Sequence, residues 1–193
     1  TNENYTQPPQ PKNSDEGIIN GLYKLYAHKK PQVTLIASGS ILNESIKAQE
    51  ILSSLGIDSD VWSATSFNML RKDGMEKQRF NELNPTAKQK ITYVEKCLPD
   101  ESVPVIAATD YMRAYPEQIR AFVKAPFYVL GTDGYGRSDS RQKLREFFEV
   151  DATNIARAAI YSLFKKGDLT KKKVGDLYKK LNIDPNKPNP WEV

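Results

Sequence analysis

The residues best suited to bind a ligand lie in one glycine-rich loop, Gly131–Ser140. Its three glycines allow tight or left-handed backbone conformations, and its arginine and aspartate side chains stand at the start of a predicted helix. Such side chains could bind a carboxylate or phosphate through paired hydrogen bonds. They could also pair with each other and leave the loop as a docking surface, which is the interpretation we favour. The candidate residues for contact with a ligand or a neighbouring domain are Asp110, Asp133, Arg137, Ser138, Asp139 and Arg141.

A second candidate is the turn Ser38-Gly39-Ser40. Its glycine would let the backbone approach an anion, which the start of the following helix favours. The turn lacks the Gly-x-Gly-x-x-Gly spacing, and no Gly-Lys-Ser or Gly-Lys-Thr follows it. An ordinary strand-to-helix turn capped by Ser40 is therefore the favoured interpretation. Asp110 and Arg113 would lie near the Gly131–Ser140 loop if the strands that precede these segments are neighbours in a sheet.

The familiar catalytic sets are missing from the sequence. The single histidine, His28, follows a predicted first helix and has no second histidine to share a metal ion. No Gly-x-Ser-x-Gly segment occurs, and no acidic, histidine or cysteine residues have the spacing of metal ligands. The sequence therefore predicts no catalytic residue, no cofactor-binding residue and no metal ligand in this chain.

Composition and charge indicate a globular domain in a reducing compartment. The 193 residues are 39% hydrophobic and 27% charged, and the lone Cys97 fits the cytoplasm. No apolar run approaches the roughly 20 residues that span a bilayer, so no membrane contact is expected. The net charge of +4 belongs to the segment from Lys165 onward, with eight lysines and four acidic residues. Its lysines are interpreted as the solvated face of an amphipathic helix, with nucleic-acid binding as the lesser alternative.

The elements that position these residues alternate between buried runs and amphipathic segments from Pro31 onward. This alternation predicts an α/β fold with a mainly parallel sheet. Strands are predicted at 33–37, 61–64, 103–108 and 127–130, and 91–98 is a strand or a helix, with the strand favoured. Helices are predicted at 15–27, 41–55, 67–71, 75–83, 116–123, 141–148, 152–166 and 169–181, with Asp73-Gly74 as a break.

Residues 1–13 are rich in Pro, Asn and Gln and predict a linker arm, which leaves 14–193 as one domain. The first residue is Thr and not Met, which suggests a processed chain or a piece of a longer one. An arm of this composition usually joins a domain to something else, which favours the second possibility.

Several segments resemble one family along almost the whole chain. In order they are Asn2–Tyr5, Gly39–Leu42, Ser59–Ser63, Thr65–Phe67, Thr109–Met112, Glu117–Arg120, Tyr128–Arg141, Phe148–Asp151 and Asn182–Asp184. Together they resemble the C-terminal, transketolase-like domain of the homodimeric bacterial pyruvate dehydrogenase decarboxylating components. The resemblance implies a three-layer α/β/α domain with a mostly parallel five-stranded sheet and one antiparallel edge strand.

The resemblance also implies a role inside a larger enzyme. In that family the full-length enzyme uses thiamine diphosphate and magnesium to decarboxylate pyruvate, and then acetylates the lipoyl group of a dihydrolipoyl acetyltransferase. The cofactor there lies between N-terminal and middle domains, whose motifs have no matching positions here. The chain is thus expected to support the homodimer, to contact the N-terminal and middle domains, and to be inactive alone. The alternative is a free-standing domain that binds an anionic small ligand at the Gly131–Ser140 loop through Asp110, Arg137 and Asp139.

Overall fold

The apolar runs of the sequence form a single five-stranded sheet in the computed structural model, which describes residues 6–192. The strands are β1 (Leu22–Tyr26), β2 (Val33–Ala37), β3 (Ser59–Ala64), β4 (Val105–Ala108) and β5 (Phe127–Leu130). The helices are α1 (Asp15–Asn20), α2 (Ile41–Ser54), α3 (Phe67–Leu83), α4 (Tyr93–Cys97), α5 (Ala114–Glu117), α6 (Arg141–Phe147), α7 (Ala152–Lys166) and α8 (Lys171–Lys180), with a 3₁₀ turn at Arg120–Phe122.

The sheet has the order β1-β3-β2-β4-β5. The four strands from β2 to β5 pair in parallel, and β1 pairs antiparallel with β3 at one edge. Leu35 at the centre of β2 lies beside Val61 on one neighbour and Ile106 on the other. Continuous apolar strands of this kind are buried on both faces, and all five residues of β2 are buried. The predicted mostly parallel sheet with one antiparallel edge strand is confirmed.

Helices cover both faces of the sheet and make the predicted three layers. On one face α2, α7 and α8 pack through Leu52, Ile155 and Leu177 in a cluster that includes Leu35 and Ile106. The other face carries α3, α4 and the 3₁₀ turn, whose apolar side chains form a second cluster with the opposite side of the strands. Its principal members are Ile36, Trp62, Phe67, Leu70, Val94, Ala107 and Phe122.

The predicted helix over 15–27 is wrong in its second half. The helix ends at Asn20 because Gly21 takes a left-handed conformation with φ of 100°, and an added Cβ there would meet the Ser66 carbonyl. The chain then forms β1, so the apolar residues after Gly21 face the sheet and not a helix stripe. His28 consequently follows a strand, and its Nε2 lies 3.3 Å from Asp58 Oδ1.

Five other elements differ from the predictions. Helix α3 is continuous through Gly74, where the ring of Phe122 leaves no room for a side chain. The segment 91–98 contains helix α4, because Thr92 and Glu95 cap its start. The predicted helix 116–123 is divided into α5 and the 3₁₀ turn. Strand β3 begins two residues earlier than predicted, and β4 two residues later.

The capped start of helix α4 can be tested by mutation. Thr92 Oγ1 accepts a hydrogen bond from the Glu95 amide at 3.1 Å, and Glu95 Oε2 accepts one from the Thr92 amide at 2.8 Å. Burial alone would raise the pKa of Glu95, but the Thr92 hydrogen bonds and Lys124 outweigh it and lower that pKa. We expect Glu95→Gln to lower the free energy of unfolding at pH 7 by about 0.5 kcal/mol, because glutamine keeps the acceptor of the cap but loses the negative charge that favours the start of a helix and attracts Lys124.

The pH dependence of this difference has a definite sign. A carboxyl whose pKa is lower in the folded than in the unfolded protein stabilises the folded state in full above the unfolded pKa, about 4.3 for Glu. This stabilisation is lost as the pH falls through the folded pKa. Urea unfolding from pH 7 down to pH 3 should therefore show wild type and Glu95→Gln converging. Thr170→Ala removes the cap of α8, whose hydroxyl accepts from the Lys173 amide without a glutamate partner. The loss of unfolding free energy caused by Thr170→Ala should not change with pH. If the difference in stability between wild type and Glu95→Gln were also constant with pH, the role of the ionised Glu95 at the start of α4 would be contradicted.

Both edges of the sheet carry features that occupy or distort the backbone. On β1 the pairing register shifts between Lys24 and Tyr26, as at a β-bulge. On β5 the carbonyls of Pro126 and Leu130 accept hydrogen bonds from the β4 side, so the alternate Phe127 carbonyl faces outward. Arg120 Nη1 donates to that carbonyl at 3.0 Å.

The C-terminal lysines lie where the sequence predicts them. Helix α8 buries Leu177 against the core and leaves its lysines exposed. Among residues 6–192, no helix combines the length and apolar character needed to cross a membrane. Residues 1–5 of the predicted arm lie outside the described part, and residues 6–13 form neither helix nor strand.

Candidate functional site

The candidate site lies where the order of the sheet reverses. From β2 the chain crosses through α2 to β3 on one side, and then returns past β2 to place β4 on its other side. The turn Ser38–Ser40 follows β2, and Thr109-Asp110 follows β4. Ser38 Oγ and Thr109 Oγ1 are 2.8 Å apart, and Ser40 Oγ donates to Asp110 Oδ2 at 3.0 Å. Open α/β sheets bind their ligands at such a reversal, outside the carboxyl ends of the strands.

A cavity of about 400 Å³ opens beside these two strand ends. One wall is the glycine-rich loop after β5, and the opposite wall is α6 with the residues that follow it. Cationic, hydroxyl and apolar groups all face the space. The lining residues are Ser40, Asp110, Thr132, Gly134, Gly136, Arg137, Arg141, Leu144, Arg145, Phe148 and Val150.

A buried carboxylate fixes one side of this cavity. Glu44, in the first turn of α2, is only 7% exposed, and its Oε1 lies 3.0 Å from Arg145 Nη1. Its Oε2 accepts a hydrogen bond from the Ala152 amide at 3.1 Å, at the first residue of α7. Arg145 also donates through Nη2 to Ser40 Oγ at 3.1 Å. The network joins α2, α6 and α7 and holds Ser40 at the mouth of the cavity.

The structure brings together three of the six predicted site residues. Asp110, Arg137 and Arg141 all line the cavity. Arg137 places its guanidinium 4.9 Å from the ring centre of Phe147.

The other three predicted residues lie away from the lining. Asp133 Oδ1 accepts from the Arg113 amide at 2.9 Å, and its Oδ2 is 3.6 Å from Arg113 Nε. Arg113 therefore pairs with Asp133, while Asp110 accepts from Ser40. Asp139 accepts from the Ser140 amide at 2.6 Å and is exposed, as is Ser138.

Sequence reasoning missed Glu44 and Arg145. A signal for Arg145 was present, because Arg141 and Arg145 are four residues apart and share one face of a helix. Nothing local marks Glu44, whose partner Arg145 comes 101 residues later in the chain. Thr132 was also missed; its hydroxyl donates to the Asp110 carbonyl at 2.7 Å and ties the loop to the end of β4.

A second surface feature adjoins the loop, and we name it the aromatic patch. Tyr111 and Tyr115 place their ring centres 5.1 Å apart, and the Thr132 amide donates to the Tyr111 carbonyl. Trp191 lies against the loop near Gly134 and 5.3 Å from the guanidinium of Arg113. Tyr135 is 92% exposed. The patch consists of Tyr111, Met112, Tyr115, Tyr135 and Trp191, all exposed at the carboxyl ends of β4 and β5.

The described residues do not fit a metal centre. Within the range 6–192, no three His, Cys, Asp or Glu side chains come close enough together to hold a metal ion. Hydroxyl and guanidinium groups, which dominate the polar lining of the cavity, suit an anion rather than a cation. We therefore assign none of the described residues to a magnesium ion.

Known proteins resemble this chain in sequence. The curated protein named pyruvate dehydrogenase E1 component from Pseudomonas aeruginosa is 51% identical over 99% of this chain. The protein of the same name from Escherichia coli is 46% identical over 98% of it. In both, the matching part is 22% of the relative's length, so the chain spans about a fifth of these proteins. These comparisons give no support to the alternative of a free-standing ligand-binding domain.

Solved structures share the fold. A transketolase from Leishmania mexicana superposes with a TM-score of 0.56 at 22% identity, over 81% of this chain and 20% of its own. A transketolase from Pichia stipitis gives 0.56 at 23% identity, over 79% of this chain and 19% of its own. The sequence model of the transketolase-like TK C-terminal domain matches residues 21–151, from the residue before β1 to the residue that caps α7. The resemblance found in the sequence is thus confirmed, and the chain belongs to the transketolase-like C-terminal domain family.

Proposed function

We propose that this chain is the C-terminal domain of a pyruvate dehydrogenase component and that it supports the assembly of that enzyme without supplying catalytic groups. Its relatives carry that name and are several times longer than the chain. The remaining domains would bind thiamine diphosphate and magnesium, which supply the decarboxylation of pyruvate. The product of that step would acetylate the lipoyl group of a dihydrolipoyl acetyltransferase. The single cysteine supports a cytoplasmic location for the complex.

The aromatic patch is the observation that carries the assembly role. Tyr, Trp, Met and Arg are residues enriched in protein interfaces. The patch combines three of these types, Tyr, Trp and Met, and Arg113 lies beside it against Trp191. Contiguous exposed apolar groups of this kind mark interaction surfaces. Because the relatives contain far more chain than this domain, we propose that the patch docks onto the N-terminal and middle domains of its own subunit. That contact would hold the subunit in the shape that forms the homodimer.

We expect the double variant Tyr135→Ser/Trp191→Ser to weaken dimerisation about tenfold or more when made in the polypeptide extended to the relatives' length. Truncating well-packed aromatic anchors typically costs 2 kcal/mol or more at an interface, on the order of a thirtyfold change. Sedimentation velocity at several concentrations measures the dimer, and decarboxylation of pyruvate with added thiamine diphosphate measures the activity. Both should fall together.

Leu83→Ser is the matched control, since Leu83 is 62% exposed at the end of α3 and lies outside the patch. It should leave both measurements near wild type. Equal losses in the control and the patch variant, or a patch variant that dimerises normally, would contradict the assembly role. The chain on its own should not decarboxylate pyruvate with thiamine diphosphate, and activity there would overturn the assignment of catalysis to other domains.

A further inference from the structure

We propose that residues 184–192, which we name the strap, act as a latch that positions Trp191 in the aromatic patch. The anchor of this latch is Lys187, and the patch is complete only while the anchor holds. The inference rests on the proposed assembly role and adds to it a positioning residue that lies outside the patch.

The strap leaves the end of α8 and passes the end of α6 on its way to the glycine-rich loop. Its backbone turns where the Asn186 amide donates to Asp184 Oδ1 at 2.8 Å. A second turn closes where the Glu192 amide donates to the Asn189 carbonyl at 2.9 Å. Three prolines within the strap restrict the backbone further. Because a proline-rich segment is stiff, an anchor at one of its residues limits the positions that the others can take.

Lys187 fastens the strap to the rest of the domain. Its Nζ donates to the Glu146 carbonyl and, at 3.2 Å, to the Phe147 carbonyl, and it lies 3.7 Å from Glu149 Oε1. These three acceptors match the three donor protons of an ammonium group. The two carbonyls belong to the last turn of α6, where the helix dipole favours a cation. Within residues 6–192, every hydrogen bond and ion pair from the strap to another element involves Lys187.

The residue beside this anchor is a glutamate in a backbone conformation that favours glycine. Glu149 has φ of 61°, in the turn that closes α6, where the Val150 amide donates to the Arg145 carbonyl at 2.9 Å. Glycine is the usual residue at this place in such a turn, because other residues are strained there. The Glu149 carboxylate contacts Arg157 Nη2 at 2.9 Å as well as the Lys187 ammonium. It therefore ties the strap to α7 in addition to α6.

The end of the strap places Trp191 against the loop through individually weak contacts. A Cβ built on Gly134 would lie 3.6 Å from Trp191 Cα, and the Trp191 ring centre is 5.3 Å from the Arg113 guanidinium. A cavity of about 500 Å³ lies between the strap, β5 and α7, so close packing holds the strap little on that side. Trp191 follows Lys187 by only four positions. The position of the indole therefore depends on the lysine anchor.

NMR relaxation of the full 193-residue chain tests the latch. In Lys187→Ala the backbone order parameter of Trp191 should fall from roughly 0.85, typical of ordered backbone, to below about 0.6, and the Gly134 amide signal should shift. The indole N–H signal of the buried Trp62 should not move, which shows that the domain stays folded. Lys187→Arg keeps the charge and the donors and should leave Trp191 ordered. Lys172→Ala, at an exposed position of α8, is the charge-matched control and should change nothing.

These relaxation measurements decide whether the latch exists. An ordered Trp191 in Lys187→Ala, or a disordered one in Lys187→Arg or Lys172→Ala, overturns the proposal.

A double-mutant cycle in the polypeptide extended to the relatives' length separates the latch from the assembly role. A strap that holds Trp191 in place about a fifth of the time would raise the apparent dissociation constant of the dimer about fivefold in Lys187→Ala. Added to Trp191→Ser, the same change should have no further effect, because Lys187 acts through Trp191. If Trp191→Ser weakens the dimer and Lys187→Ala does not, the latch is overturned and the assembly role stands. If Trp191 is mobile in Lys187→Ala and neither single variant weakens the dimer, the assembly role fails and the latch remains.

Discussion

Replacing Glu44 by alanine is expected to lower the free energy of unfolding by about 3 kcal/mol, the usual cost of breaking a buried ion pair from one side. The substitution removes the carboxylate that lies 3.0 Å from Arg145 and accepts from the Ala152 amide. Arg145 is left largely buried without this counter-charge, with a side chain 16% exposed. The Ala152 amide, at the start of α7, loses its acceptor in a place that water does not easily reach.

Chemical denaturation of matched variants measures this effect. Glu50→Ala removes an exposed glutamate from the same helix and should change stability by less than about 0.5 kcal/mol. Arg145→Ala should also destabilise the chain, and the double variant should cost less than the sum of the single ones because each removes the same interaction. Additive losses would show that Glu44 and Arg145 act independently and would contradict the network.

The second large effect is expected at Gly74, in the middle of α3. A Cβ at this position would overlap the ring of Phe122, which packs closely against the helix. Overpacking of this kind costs about 3 kcal/mol, and the better helix propensity of alanine recovers about 1 kcal/mol. Gly74→Ala should therefore lower the free energy of unfolding by about 2 kcal/mol. The thermal midpoint should fall by roughly 4–8 °C for a chain of this size.

Gly175 in α8 is the internal control for this substitution. A Cβ built on Gly175 meets nothing within 4 Å, so Gly175→Ala should raise stability by about 0.5–1 kcal/mol through helix propensity alone. Adding Phe122→Ala to Gly74→Ala should remove the overlap, so the double variant should cost less than the two single changes added together. A Gly74→Ala protein as stable as wild type would contradict the close packing.

The sequence predicts the central elements well because their burial pattern is local. The apolar runs of β2 and β5 leave no alternative to buried strands, and they lie where predicted. The apolar stripes of α2 and α7 are equally distinctive. Where the prediction fails, a tertiary contact decides the outcome. Gly74 looks like a helix break until Phe122 is placed against it.

In the candidate site too, local patterns indicate some residues, and tertiary contacts decide the others. The rule that ligands bind at strand ends draws attention to the Ser38–Ser40 turn, and the structure adds that the Ser40 hydroxyl donates a hydrogen bond to Asp110. Three of the residues that line the cavity, Asp110, Arg137 and Arg141, could be named from the polar composition of the segments after the strands. The helical spacing from Arg141 indicates Arg145 as well, but the orientation of its side chain could not be predicted, since it depends on Glu44, 101 residues earlier in the chain. The start of α4 is a different case, because Thr92 and Glu95 already show capping-box spacing in the sequence.

The two edges of the sheet have a consequence for how this domain can meet other polypeptides. An open edge invites a foreign strand to extend the sheet, which leads to fibrous aggregation as well as to specific pairing. The register shift on β1 twists one edge away from such pairing, and Arg120 occupies an outward carbonyl on β5. These two features discourage strand exchange between copies at both edges of the sheet. At high local concentration the domain is therefore protected from joining its sheet to that of another copy, which is compatible with the assembly proposed above.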